Sequence, residues 1–173
     1  GRKRVREIRL EGGGSLKAGV LVLATGHSAR DTTRNLIRRG LPFEGKGFSI
    51  GARIEHPAAL INRCQYGRDD QETLARLGNS EYHLTSQGDR GVYSFCMCPG
   101  GVVVPSNSFP GEVVTNGMSY SARDGALSNS AIVVTVNPED FGGGPLEGLA
   151  WQEAIEQKAY HLAGGYLATG QNA

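Results

Sequence analysis

Apolar and polar positions follow a hairpin-like pattern at the start of the chain. Residues 5–10 mix apolar with charged side chains, and the glycines at 12–14 follow them. After a short polar stretch comes the apolar run Val20–Ala24. Two strand-like segments around a glycine-rich turn predict a β-hairpin that leads into a strand. Because Val20–Ala24 is apolar throughout, we expect that strand to be buried on both faces.

Helical signals occur in four places. Ser28 followed by Asp31 has the spacing of a capping box, which predicts that a helix follows and ends before Gly40. Pro57 favours the first position of a helix, and Asp70 is a suitable N-cap. The predicted helices are Arg30–Arg39, Pro57–Cys64, Gln71–Leu77 and Leu146–Ala163, the last ended by Gly164 and Gly165.

Strand signals dominate the second half, where Gly, Pro, Asn and Ser separate short apolar runs. This mixture of strands and helices predicts an α+β fold with a mixed, largely antiparallel sheet and flanking helices. The predicted strands are Phe48–Glu55, Tyr82–Ser86, Val92–Cys98, Val102–Pro105, Val113–Asn116 and Ala131–Val136.

Composition narrows the class of protein. The 173 residues are 39% hydrophobic and 20% charged with a net charge of +1, which indicates a globular domain without a general attraction to nucleic acid or anionic membrane. No apolar run approaches the roughly 20 residues of a membrane helix. Three cysteines without framework spacing favour a reducing compartment, and we expect the protein to be cytoplasmic.

The known nucleotide- and metal-binding motifs are incomplete or absent in this sequence. Gly40–Lys46 fits the first part of a P-loop, but Gly47 stands where the Ser or Thr hydroxyl is needed, and a strand follows instead of a helix. The sequence contains no G-x-G-x-x-G turn, the usual support of a flavin or nicotinamide pyrophosphate. The cysteines and histidines have no metal-ligand spacing, so no metal site is predicted.

Two segments have the composition of ligand-binding loops. The small residues Ala24, Thr25 and Gly26 follow the apolar run and would let backbone N–H groups approach a phosphate or a ring. The run Thr115–Gly125 is rich in Asn, Ser, Tyr, Arg and Asp and offers many hydrogen-bonding groups. A plain hydrogen-bonded loop explains this composition equally well.

Charged side chains and thiols occur on two of the predicted strands. Arg53 and Glu55 share one strand face, where they form either an exposed ion pair or part of a polar site with His56. Cys96 and Cys98 also share one face by their spacing. They serve either as core packing or as thiols facing a cofactor.

Five stretches together resemble the bacterial FAD-dependent dehydrogenases usually labelled NAD- or FAD-utilising dehydrogenases, and in particular their middle region. These stretches cover nearly the whole chain, and the middle three are long and unusual in composition. They are VLATGHSARDT (Val22–Thr32), IGARIEHP (Ile50–Pro57), RGVYSFCMCPGG (Arg90–Gly101), VVTNGMSYSARDG (Val113–Gly125) and PEDFG (Pro138–Gly142).

The resemblance implies a division of the chain into three parts. Residues 1–42 would be part of an FAD-binding domain, 43–142 an inserted substrate-side domain that covers the flavin, and 143–173 a helix leading back to the FAD-binding domain. The N- and C-terminal segments of the same protein that hold FAD would lie outside this chain. We therefore expect the chain alone to bind no flavin and to be inactive.

The resemblance also implies roles for the candidate residues. FAD would transfer hydride to or from a small-molecule substrate, NAD(P) is a possible second cofactor, and Ala24, Thr25 and Gly26 would pass near the flavin. The proposed catalytic residues are Cys96, Cys98 and Arg123, the last by holding an anionic group. The residues proposed to face the substrate are Asn116, Met118, Ser119, Asp124, Arg53 and His56.

Two alternatives are also compatible with the sequence. The chain could be a self-contained domain whose polar loops bind a ligand or a protein without catalysis. It could also be an enzyme that uses Cys96 or Cys98 as a nucleophile, which requires a thiol that ionises well below the ~8.5 of a free cysteine.

Overall fold

The computed structural model describes residues 4–164, which belong to two compact units, Gly1–Gly40 and Leu41–Ala173. Its helices and antiparallel sheets confirm the predicted α+β class. No helix between residues 4 and 164 is long and apolar enough to cross a membrane.

The first unit contains the predicted hairpin and the predicted helix. Strands β1 (Glu7–Arg9) and β2 (Ser15–Lys17) pair in antiparallel register. Gly13 and Gly14 both have positive φ, a conformation that tight turns require and that glycine adopts at little cost. Helix α1 (Arg30–Arg38) follows, and the N–H of Gly40 bonds to the carbonyl of Ile37 after its last turn.

Two predictions about this unit are wrong. The run Val20–Ala24 is not a strand, and Val20 and Val22 are 83% and 80% exposed instead of buried. An extended apolar run becomes a strand only where a neighbour completes its hydrogen bonds, and no described strand pairs with this one. The capping box is also absent, because Ala29 is the N-cap of α1 and no side chain caps it.

The second unit is built on a four-stranded antiparallel sheet in the order β3–β8–β5–β4. The central pair, β3 with β8, keeps register over ten residue pairs from Phe48↔Val136 to Pro57↔Leu127. A separate two-stranded ribbon pairs β6 with β7. The strands are β3 (Phe48–Pro57), β4 (Thr85–Ser86), β5 (Val92–Cys98), β6 (Gly101–Pro105), β7 (Thr115–Ser119) and β8 (Leu127–Val136).

Several predicted strand limits change in the fold. Strand β8 begins four residues before the predicted Ala131, because its polar first half pairs with β3 along the whole ladder. Strand β7 is displaced from the predicted Val113–Asn116 and runs to Ser119 opposite β6. The polar run after Val114 is therefore half strand and half loop, not a loop throughout.

Helices follow β3 and β8 along the chain. They are α2 (Ala58–Tyr66), α3 (Gln71–Leu77) and α4 (Pro145–Leu162), with a short 3-10 helix at Pro138–Asp140. The Asp70 side chain caps α3 by accepting a hydrogen bond from the Thr73 N–H at 3.0 Å, as predicted. Trp151 of α4 packs edge-on against Phe48, which stacks on Phe141 with ring centroids 5.6 Å apart. Gly164 follows α4, whereas the predicted stop at Gly165 lies outside the described residues.

Candidate functional site

Arg53 lies at the centre of a group of polar side chains from β3, β5 and β8. Its Nη1 donates to Asn129 Oδ1 at 2.6 Å and to the Cys96 carbonyl at 3.1 Å, and it lies 3.9 Å from Cys98 Sγ. Asn129 and Cys98 face each other as a cross-strand pair. We call Arg53, Cys98, Gly117 and Asn129 the Arg53 cluster.

A β-bulge shapes the part of β5 that contributes to this cluster. Phe95 pairs with Ala131 and Cys98 with Asn129, so β5 contains one more residue than β8 between these pairs. Cys96, within the bulge, has a φ of +50°. The prediction that Cys96 and Cys98 share one face is wrong, because the bulge interrupts the alternation and leaves Cys96 exposed and Cys98 buried.

Strand β7 closes over the cluster through a glycine. A Cβ atom at Gly117 would overlap Arg53 Nη1 and Asn129 Oδ1 and would lie 2.7 Å from Cys98 Sγ. The neighbours Asn116 and Met118 lie on the opposite, exposed face of β7. Ser119 lies on the same face as Gly117 and donates to the Pro99 carbonyl at 2.9 Å.

Arg53 forms no ion pair with a carboxylate of residues 4–164, and its hydrogen-bond acceptors there are an amide oxygen, a carbonyl and a thiol. The alternative of an Arg53–Glu55 ion pair is not formed. Burial raises the pKa of the Cys98 thiol, and the nearby Arg53 charge only partly opposes this effect. Cys98 is therefore protonated at neutral pH and does not act as a counter-ion.

The three cysteines are expected to differ in reactivity. Iodoacetamide should modify the exposed Cys64 and Cys96 and leave Cys98 unmodified at neutral pH, because Cys98 is buried and burial raises its pKa above the ordinary thiol value. Peptide mass spectrometry after short labelling measures this, with denatured protein as the control in which all three react. Equal rates at Cys98 and Cys64 would contradict the burial of Cys98.

The same shift gives a pH dependence of stability. A thiol whose pKa is higher in the folded than in the unfolded state stabilises the fold below the ordinary thiol pKa of the unfolded chain. That contribution is lost as the pH rises through the higher folded value, because only the unfolded chain ionises readily. The free energy of unfolding of a Cys98→Ser variant should therefore fall less steeply as the pH rises above the ordinary pKa of a thiol.

His56 begins a second chain of hydrogen bonds. Its Nε2 lies 2.9 Å from the Tyr82 hydroxyl, which lies 2.7 Å from Ser130 Oγ. His56 Nδ1 is buried, and no described residue offers it a hydrogen bond. His56 was predicted from the sequence to lie in a polar site, whereas Tyr82, Ser130 and Asn129 were not identified. The polar triplet at 128–130 ahead of an apolar run was the available signal.

Arg123 and Asp124 lie in a loop that is held by an ion pair and by hydrogen bonds from Asn79. The Arg123 guanidinium forms an ion pair with Glu81 at 2.6 Å, and its backbone has a φ of +51°. Asn79 Nδ2 donates to the carbonyls of Arg123 and Gly125, at 2.9 and 3.1 Å. Both loop residues line a cleft of about 300 Å³ with Asn79. Within the described chain, the side-chain hydrogen bonds of Arg123 do not lead to the Arg53 cluster.

A cleft of about 290 Å³ opens beside Arg53. Its walls come from β3, β6, the residues before and at the start of β7, and α4. Apolar side chains predominate in these walls. The lining residues are Ile50, Gly51, Ala52, Arg53, Val103, Val113, Val114, Thr115, Ile155, Glu156 and Ala159.

Comparison with known proteins now defines the class of this chain. The family described as "FAD-dependent protein, C-terminal domain-like" matches residues 47–173, and the chain belongs to this family. A relative in Clostridium beijerinckii named "Uncharacterized protein" is 51% identical over 157 residues, which cover 88% of this chain. The chain spans 29% of that relative's length.

The described residues fit a contact with FAD but not a complete FAD site. Ala24, Thr25 and Gly26 are exposed, and Gly26 has a φ of +75° shortly before α1, which permits close approach of a ligand. The pyrophosphate of FAD also requires a G-x-G-x-x-G turn between a strand and a helix. Residues 4–164 contain no such turn, and no group of three metal-ligating side chains occurs there either.

Proposed function

We propose that this chain forms the substrate-side part of a larger FAD-dependent oxidoreductase, which we call the parent flavoprotein. Membership of the FAD-dependent family supports the cofactor, and the length of the relative supports a larger protein. The observation that carries the proposal is Arg53, a half-buried arginine without a carboxylate partner in the described chain, beside an apolar cleft. Such a group suits the orientation of a small-molecule substrate.

In this proposal the flavin supplies two-electron hydride chemistry, with NAD(P) as a candidate electron partner. The chain itself binds and orients. Asn129 and the Cys96 carbonyl hold the Arg53 guanidinium in place, and Gly117 leaves the space that it occupies. Cys98 remains a neutral thiol next to Arg53. This protonation state favours a hydrogen-bonding role over that of a nucleophile.

The remaining candidates divide between two surfaces. Asn116 and Met118 lie exposed on the outer face of β7, where they suit contact with a substrate that approaches from solvent. Arg123 and Asp124 suit the second cleft, where Glu81 already supplies a counter-charge to Arg123. We propose the Arg53 cluster as the primary substrate site and the cytoplasm as the place of action.

The test compares the 173-residue chain with the parent flavoprotein. We expect the parent to be yellow and its flavin absorbance to bleach when NADH or NADPH is added anaerobically, whereas the shorter chain is colourless. Dithionite bleaching is the positive control. A parent without flavin, or a shorter chain that retains FAD tightly, would overturn the proposal.

A matched pair of glycine variants tests the proposed contact of Thr25 and Gly26 with FAD. Gly26→Ala in the parent should lower the ratio of bound flavin to protein, whereas Gly13→Ala should not. Both glycines have positive φ and open space at Cβ, so both substitutions impose similar backbone strain. Equal flavin content in the two variants would remove the Ala24–Gly26 segment from the FAD site.

A further inference from the structure

Cys96 and Cys98 are two positions apart on β5 and lie in different environments. Both are free thiols, and Cys96 is exposed whereas Cys98 is buried. The Sγ of Cys98 donates back along the strand to the Cys96 carbonyl at 3.4 Å. Two peptide units hold the two Cα atoms within about 7.6 Å of each other, and a disulfide spans Cα atoms about 4.4–6.8 Å apart. The short connection therefore keeps the two residues at or near the separation that a disulfide spans.

The β-bulge gives this segment freedom to adjust. Cys96 and Met97 lie between the paired residues Phe95 and Cys98, outside the β5–β8 ladder, so their dihedral angles can change without breaking a ladder hydrogen bond. Cys96 also has a φ of +50°, a conformation that a residue other than glycine keeps only where its surroundings hold it. Such strained positions cluster at functional sites.

The electrostatic surroundings join the two thiols to Arg53. Burial is the main cause that raises the pKa of the Cys98 thiol, and the Cys96 thiol raises it further through its charge and a hydrogen bond. Arg53, whose Nη1 lies 3.9 Å from Cys98 Sγ, opposes this rise. A thiolate that forms at Cys98 therefore has a cation beside it, which makes Cys98 a better leaving group when a disulfide is reduced.

An exposed thiol next to a buried one divides the two steps of thiol–disulfide exchange. A reagent from solvent can reach Cys96, whereas Cys98 is shielded. Once Cys96 carries a mixed disulfide, Cys98 reacts within the same chain. The high effective concentration of a neighbouring group then offsets the small fraction of thiolate that the raised pKa of Cys98 leaves.

We infer that Cys96 and Cys98 form a reversible dithiol–disulfide couple that exchanges with an external disulfide, R–S–S–R. The Cys96 thiolate attacks one sulfur of R–S–S–R, which forms a mixed disulfide and releases R–S⁻. The Cys98 thiolate then attacks Cys96 Sγ, which forms the Cys96–Cys98 disulfide and releases the second R–S⁻. The two thiol protons end on the released thiolates, so the protein is oxidised by two electrons and R–S–S–R is reduced to two thiols.

Peptide mass spectrometry of the parent flavoprotein in glutathione buffers tests the inference. Trypsin cuts after Arg90 and Arg123, so one peptide carries both thiols, whereas the exposed Cys64 begins a separate peptide and is the matched control. We expect half of peptide 91–123 to contain an internal disulfide at a glutathione ratio that leaves more than about nine tenths of Cys64 unmodified. A peptide 91–123 that carries glutathione without an internal disulfide, or that stays reduced until Cys64 is fully modified, would overturn the inference.

Three serine variants separate the roles of the thiols. In Cys98→Ser, Cys96 should accumulate as a mixed disulfide with glutathione, because the thiol that resolves it is missing. In Cys96→Ser, Cys98 should stay unmodified in the folded protein because it is buried. Cys64→Ser is the control and should leave the internal disulfide unchanged. If Cys98→Ser does not fold, Cys96→Ser still decides, since rapid modification of Cys98 in it would contradict the order of attack.

Arg53→Gln tests the part of the guanidinium in the reverse reaction. Dithiothreitol should attack the exposed Cys96 sulfur and expel the Cys98 thiolate, and this reduction should be several-fold slower without the cation. Arg76→Gln, at an exposed helical ion pair, is the control. Equal rates of reduction in the two variants would contradict the role of Arg53 beside Cys98.

The exchange requires no flavin, so it stands apart from the proposed function. A parent that contains reducible flavin but forms no internal disulfide retains the oxidoreductase and loses the couple. An internal disulfide that forms in a parent without flavin retains the couple and removes the oxidoreductase.

Discussion

Replacing Gly51 by alanine is expected to lower the free energy of unfolding by about 3 kcal/mol. Gly51 lies in the middle of β3, where it pairs with Val133 of β8. A Cβ atom there would overlap the Ile132 carbonyl and lie 2.8 Å from the Val133 Cα. These are backbone atoms of the central strand, so relief requires β3 and β8 to separate. Urea denaturation followed by circular dichroism measures the loss.

Gly91→Ala is the matched control for this prediction. Gly91 precedes β5, nothing lies within 4 Å of a Cβ atom there, and its φ is not positive. An alanine at such a position is neutral or stabilises slightly by restricting the unfolded chain. A Gly51→Ala loss no larger than the Gly91→Ala effect would show that the two strands accommodate a methyl group.

The second large effect is expected at Asn62, where replacement by leucine should cost about 3 kcal/mol of stability. Asn62 on α2 is buried; its Oδ1 accepts from the N–H and the hydroxyl of Ser80, and its Nδ2 donates to Asn79. Leucine has a similar volume but leaves the buried Ser80 groups without this acceptor. Thermal and urea denaturation measure the change.

The Asn62 substitution should also loosen the loop at Arg123 and Asp124, because Asn79 holds the carbonyls of Arg123 and Gly125. Faster amide hydrogen exchange over residues 120–126 is the expected signature. Asn116→Leu on the exposed face of β7 is the control and should change stability by less than about 0.5 kcal/mol. A similar loss in both variants would contradict the structural role assigned to Asn62.

Elements with strong local signals were predictable from the sequence. Helix α3 begins after its Asp70 cap and ends at Leu77, and β5 spans Val92–Cys98, both as predicted. A side-chain cap and a short apolar run flanked by turn residues act within a few positions of the chain. The wrong prediction at Val20–Ala24 shows the limit of such signals, since a strand depends on a partner that need not be near in sequence.

The candidate site was only partly predictable for the same reason. Arg53 and Cys98 were identified from residue type and position, but the contact between them depends on the registers of β3 and β5 against β8. The bulge that separates Cys96 from Cys98 has no visible cause in the FCMC segment. Asn129 was missed because its partner Arg53 lies on another strand, and only the pairing of β3 with β8 brings the two side chains together.

By itself the sequence determined the α+β class, most helices and strands, and several of the side chains that carry chemistry, because these follow from local periodicity and residue type. Only the tertiary structure decided which of those side chains meet. Strand pairing joins Arg53 to Asn129 across 76 positions of the chain and leaves Arg123 with Glu81 instead. Hydrogen-bond register and burial are properties of the assembled sheet, and no single segment contains them.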